Sequence, residues 1–97
     1  MPTLSVRMSS NGKIVYRWIS TSVPIDIKKR ANRLFGTVNN LLALKKFKET
    51  EHVNIDISFI VSKSKSLLKV LDEIEIVSNI DVKQVCTDAL TKGVGNI

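Results

Sequence analysis

The residues that could carry chemistry in this chain stand apart from one another. His52 is the only histidine and Cys86 the only cysteine. A metal centre or a nucleophile–base pair needs converging groups at set spacings, and no Cys-x-x-Cys, His-x-x-x-His or His-Glu pattern occurs. His52 therefore reads as a surface histidine before a strand. Cys86 falls on an apolar helical stripe between Val85 and Ala89, with Asp81 and Asp88 nearby. That setting suits a small core residue and disfavours a thiolate. Asp72, Glu73 and Glu75 cluster, and paired carboxylates can move protons or hold a divalent cation. Nothing else converges on them, so they read as a solvated acidic face. Gly93-Val94-Gly95 follows no strand and opens no helix, which excludes a phosphate loop. No serine sits in a Gly-x-Ser-x-Gly elbow. The expectation is a protein that is not an enzyme and uses no metal or cofactor.

Charge is the feature that remains. The chain has 97 residues and a formal net charge of +6. Residues 1–50 carry ten basic groups against Asp26 and Glu49, a balance of +8, whereas residues 51–97 carry five against seven acids, a balance of −2. Lys28, Lys29, Arg30 and Arg33 open one segment, Lys45 and Lys46 close it, and Arg7 and Arg17 lie upstream. Clustered Lys and Arg that neutralise phosphates bind nucleic acid without regard to sequence and with strong salt dependence. These eight residues are the candidate contacts to nucleic acid, RNA or DNA. No RNP-like aromatic run, Gly-x-x-Gly clamp or zinc spacing adds to them. The alternative expectation is an interaction or assembly subunit whose basic surface meets an acidic protein. Val15, Ile19, Leu44 and Ile60 lie off the expected core faces and could form an apolar patch for a partner.

The elements that must position these groups follow from periodicity. Leu4, Val6 and Met8 alternate with Ser5 and Arg7; Ile14, Tyr16 and Trp18 alternate with Val15 and Arg17. A two-residue Asn-Gly turn would put Arg17 on the apolar face. A three-residue loop, Ser10-Asn11-Gly12 with Gly12 left-handed, opposes Met8 to Ile14, Val6 to Tyr16 and Leu4 to Trp18. It gathers Ser5, Arg7 and Arg17 on the other face, and is the register preferred here. A slipped register would instead turn Tyr16 and Trp18 outward as a stacking platform for bases.

A helix follows over about residues 24–47, with Ser22 as N-cap, Pro24 in the first turn and Asp26 at its positive end. Ile27, Ala31, Leu34, Val38, Leu41 and Leu42 form its apolar stripe, with Phe35 beside it; Lys29, Arg33, Gly36 and Asn40 share the opposite face. Gly36 marks either a close approach of another backbone or a break. Residues 53–61 alternate as a strand. Residues 65–73 read as a helix capped by Ser64 or Ser66, leading into a short strand at 74–77. A last helix, capped by Asn79 or Asp81, carries Val82, Val85, Cys86, Ala89 and Leu90 and ends at Gly93 as a left-handed cap, before a frayed tail.

The order is β-β-α-β-α-α or β-β-α-β-α-β-α. Elements with one apolar face each predict a single α+β domain over 1–97, a two-layer arrangement of a small, mostly antiparallel sheet (the hairpin plus one or two strands) with helices on one face. Open sheet edges, an uncovered sheet face and a small core predict a homodimer or a larger complex. A lone cysteine excludes an intrachain disulfide and points to a reducing intracellular compartment, cytoplasmic or nucleoid/nuclear. No apolar run is long enough for a transmembrane segment.

Overall fold

The computed structural model describes the backbone of residues 1–47 and 64–95 and the side chains of 1–43 and 64–91. Strand β1 (Thr3–Met8) and strand β2 (Ile14–Trp18) form the hairpin that the alternation requires. Leu4 opposes Trp18, Val6 opposes Tyr16 and Met8 opposes Ile14. The loop is the three-residue one: the Ser9 N–H donates to the Lys13 carbonyl at 2.8 Å, the Gly12 N–H donates to the Ser9 carbonyl at 3.0 Å, and Gly12 has φ +81°. That positive φ is why a glycine stands there. The register buries Leu4, Val6 and Ile14, half-buries Met8, Tyr16 and Trp18, and leaves Arg7, Val15 and Arg17 exposed.

Helix α1 (Ile25–Phe47) begins when the Pro24 carbonyl accepts the Lys28 N–H at 3.1 Å. Pro24 is thus the capping position, and Ser22 lies too far upstream to cap. Ala31, Leu34, Phe35, Val38 and Leu41 are buried, with Ile27 and Leu42 half-buried beside them. The helix runs through Gly36, and a methyl group placed there would meet nothing within 4 Å. Gly36 therefore marks neither a close approach nor a break.

The second helical segment begins as α2, described over 64–68, and tightens into a 3-10 helix at Lys69–Glu73. Tightening at the end of a helix is common, because the last carbonyls can then bond three residues on. Ile74 turns the chain into the extended strand β3 (Glu75–Val77). Helix α3 (Val82–Gly95) follows, and Asp81 caps it: Oδ1 accepts the Gln84 N–H at 3.1 Å. Asn79 is not the cap. Gly93 does not end α3, which runs on to Gly95. A glycine tolerates the helical conformation at a cost of about 1 kcal/mol against alanine, and the cap expected here is not formed.

The architecture is α+β, a three-stranded sheet in the order β2-β1-β3 with helices packed against it. The sheet is mixed: β1 pairs antiparallel with β2 and parallel with β3, Leu4 opposing Ile76. One face of it meets the helices, burying Leu4, Val6 and Ile14 against Phe35 and Val38 of α1, Val70 and Leu71 of the 3-10 helix, and Val82, Cys86 and Leu90 of α3. The strand expected at 53–61, with His52, Lys48 and Ile60, lies outside the described residues. Among the described residues no helix is long and apolar enough to cross a membrane.

Candidate nucleic-acid interface

Helix α1 displays part of the basic segment as a face. Residues four apart on a helix lie side by side, roughly 5–6 Å between Cβ atoms. Lys29 and Arg33 are such a pair, both exposed, on the face that also carries exposed Gly36 and Asn40. The buried stripe of Ala31, Leu34 and Val38 lies half a turn away, so this face points out of the core. Lys28 is half-buried on one flank of the helix.

Arg30 is placed on the other flank and behaves differently. Its Nη1 lies 2.5 Å from Glu73 Oε2 and its Nε 3.1 Å from Asp26 Oδ2. The guanidinium hydrogen bond holds the Glu73 carboxyl below the usual carboxylate range. Arg30 thus ties α1 to the 3-10 helix and is engaged within the molecule. Lys83 similarly approaches Asp72, at 3.7 Å. Glu75 accepts a hydrogen bond from the Thr3 hydroxyl at 3.5 Å. The three neighbouring acids therefore face three different partners. Among the described residues, no ion pair involves Arg7, Lys13, Arg17, Lys28, Lys29 or Arg33.

Arg7 and Arg17 occupy the sheet face turned away from the helices. Arg17 opposes Ser5, two residues from Arg7, so the two arginines are diagonal neighbours, roughly 7–8 Å apart at the backbone. With Ser5 and Val15 they border a shallow hollow of about 350 Å³. Of the eight candidates, the structure thus sets four in two outward groups rather than one, with Lys28 on the flank of the first and Arg30 engaged elsewhere. Lys29 and Arg33 look outward from the helical layer; Arg7 and Arg17 look outward from the sheet. Lys45 and Lys46 lie in the last turn of α1, with side chains outside the described set.

Residues without a sequence signal hold these surfaces in place. The Met8–Ile14 pair follows the hydrogen-bonded Ser9–Lys13 pair, so the main-chain groups of Ile14 point away from β1. Asn39 of α1 takes both: its Oδ1 accepts the Ile14 N–H at 2.8 Å and its Nδ2 donates to the Ile14 carbonyl at 3.1 Å. A side-chain amide stands in for a neighbouring strand and fastens α1 beside β2. The Tyr16 hydroxyl donates to Asn32 Oδ1, about two turns before Asn39 on α1, and the Tyr16 ring lies 4.7 Å from that of Phe35. Lys13, not singled out from the sequence, borders an open cleft of about 710 Å³ between the hairpin loop and Asn40 and Ala43 of α1. Its only sequence signal was its place directly after the turn glycine.

Cys86 is fully buried, and burial pushes its thiol up to about 12. Among the described residues no three His, Cys, Asp or Glu side chains are gathered as metal ligands. No protein-family model matches the chain, no curated protein matches its sequence, and no solved structure matches its fold.

Proposed function

We propose that the protein is a non-catalytic basic binding module that contacts nucleic-acid phosphates, with Lys29 and Arg33 as the centre of the contact and Lys28 at its edge. The observation that carries this reading is the state of the cations. Among the described residues, the cations of the N-terminal half are mostly not paired with acids of the C-terminal half: only Arg30 crosses from one to the other. Lys29 and Arg33 remain in water on the outside of a regular helix. Such charges cost little to bring against phosphate, because no internal partner has to be given up, and binding releases counterions. Lys13 and Asn40, across the cleft, extend the surface with a further cation and an amide. Arg30 is withdrawn from the contact set, since engaging phosphate would break its bonds to Glu73 and Asp26.

The test is a titration of a labelled random-sequence duplex at several salt concentrations. Affinity falls steeply from low to physiological salt, and Lys29→Glu with Arg33→Glu weakens all sequences alike, reducing the log–log salt slope by about 2. Wild-type binding by that double variant refutes the proposal.

A second reading, an assembly subunit, has its own observation. Val15 and Val77 are 37% and 52% exposed, and their strand positions put them on the sheet face away from the helices; Ile19, directly after β2 and with its N–H bonded to the Thr3 carbonyl, is 50% exposed. An apolar group on an uncovered sheet is a surface that a partner can bury. Sedimentation at high micromolar concentration decides it: a monomer that Val15→Ser leaves unchanged counts against assembly through this face.

A further inference from the structure

The two groups of unpaired cations lie on the outsides of two different layers, and this bears on how many nucleic-acid segments one molecule can hold. Lys29 and Arg33 face out from α1, on the side opposite its buried stripe. Arg7 and Arg17 face out from the sheet, on the side opposite Leu4, Val6 and Ile14. The hydrophobic core lies between the layers. No single flat surface contains both pairs.

A duplex cannot reach both by bending. Its persistence length is about 50 nm, whereas the largest dimension of this molecule is 41 Å. Over that distance a duplex is a straight rod, and wrapping it round the domain would cost more than two extra arginine contacts return. A duplex held at Lys29 and Arg33 therefore leaves Arg7 and Arg17 in solvent. Nor does the first duplex neutralise the second site at a distance. Screening in physiological salt acts over about 8 Å, less than the thickness of a helix packed on a sheet. The acid on the outward sheet face, Glu75, lies at the Thr3 end of β1 and is hydrogen-bonded by Thr3, away from Arg7.

Resting on the nucleic-acid reading above, we infer that one molecule bridges two duplex segments, one against the outer face of α1 and one against the outer face of the sheet. Arg7 and Arg17 grip the second duplex as diagonal neighbours, with Val15 between them against the backbone sugars. Both contacts are to phosphate and sugar, so bridging is indifferent to sequence. It is also self-limiting: at excess protein each duplex becomes coated by separate molecules, and bridges give way to singly bound complexes.

The experiment is a capture assay with duplex DNA as the probe. One unlabelled duplex is fixed to beads, a fluorescent duplex is free, and the protein is titrated between them, with direct binding to the fluorescent duplex followed in parallel. Wild type retains the free duplex on the beads, and retention rises and then falls as protein is added. Lys29→Glu with Arg33→Glu, and separately Arg7→Glu with Arg17→Glu, each still bind duplex but lose capture about tenfold or more. All four positions are exposed or on outward faces, and unchanged thermal melting by circular dichroism verifies that each variant is folded. Duplex binding by wild type without capture overturns the bridging inference and leaves the proposed function standing. Capture by Arg7→Glu with Arg17→Glu at the wild-type level also overturns it, since bridging would then come from self-association through one face. No duplex binding by wild type overturns both.

Discussion

Arg30 shows what the type of a residue does and does not settle. Its sequence neighbours Lys29 and Lys28 suggest one common role, yet a helix turns 100° per residue, and Arg30 lands on a flank where Asp26 and Glu73 take it. This pair makes a pH prediction. The folded-state pKa of Glu73 lies below its unfolded value, so its contribution to stability is complete above the ordinary carboxylate range and is lost as pH falls through the folded value. The urea midpoints of wild type and Glu73→Gln should differ most above about pH 5 and converge below about pH 4. A gap that widens in acid contradicts the pairing. The difference is small at any pH, because both groups are substantially open to water. Cys86 and the hairpin residues were legible at this scale: alternation and a helical stripe place apolar side chains inward whatever their partners are. Asn32 and Asn39 were not, since an asparagine on a helix flank carries no sign of the strand it will meet.

At the scale of elements, the two informative glycines respond in opposite directions. Gly12 sits at φ +81°, where a Cβ crowds the backbone, and Gly36 sits in a regular helix with free space around it. Gly12→Ala should destabilise by about 1–2 kcal/mol, and Gly36→Ala should stabilise by about 1 kcal/mol. Urea unfolding followed by circular dichroism measures both. A stabilised Gly12→Ala would contradict the three-residue loop. The hairpin register was decidable in advance because only one of two loops keeps Arg17 off the apolar face. The short strand after the second helical segment was visible as a change of period at Ile74, whereas the tightening into a 3-10 helix at Lys69–Glu73 left no sign in the helical stripe. The end of α3 was misjudged, because a glycine permits a left-handed cap without requiring one.

For the whole molecule, the core is assembled from distant parts of the chain. β1 is central, and its second neighbour β3 comes from beyond residue 70, pairing parallel to it. Ile74, Val82, Cys86, Ala89 and Leu90 from the C-terminal segment are all buried in the same cluster as Leu4 and Val6. A chain ended after Glu73 leaves one edge of β1 unpaired and removes these five core side chains. It should show no cooperative thermal transition, whereas the full chain melts in a single one. A sharp transition in the shortened chain would mean that the N-terminal segment is a folding unit by itself.

The amino-acid order alone determined which side of each element is apolar, because periods of 2 and 3.6 are local properties of the backbone. It determined the hairpin register, the span of α1 and the excess of positive charge. Only the tertiary packing decided how the apolar sides meet, and with it the parallel pairing of β3, the capture of Arg30 by Glu73 and the division of the cations between two outward surfaces. Those outcomes depend on contacts between residues far apart in the chain, and such contacts leave no periodic trace along it.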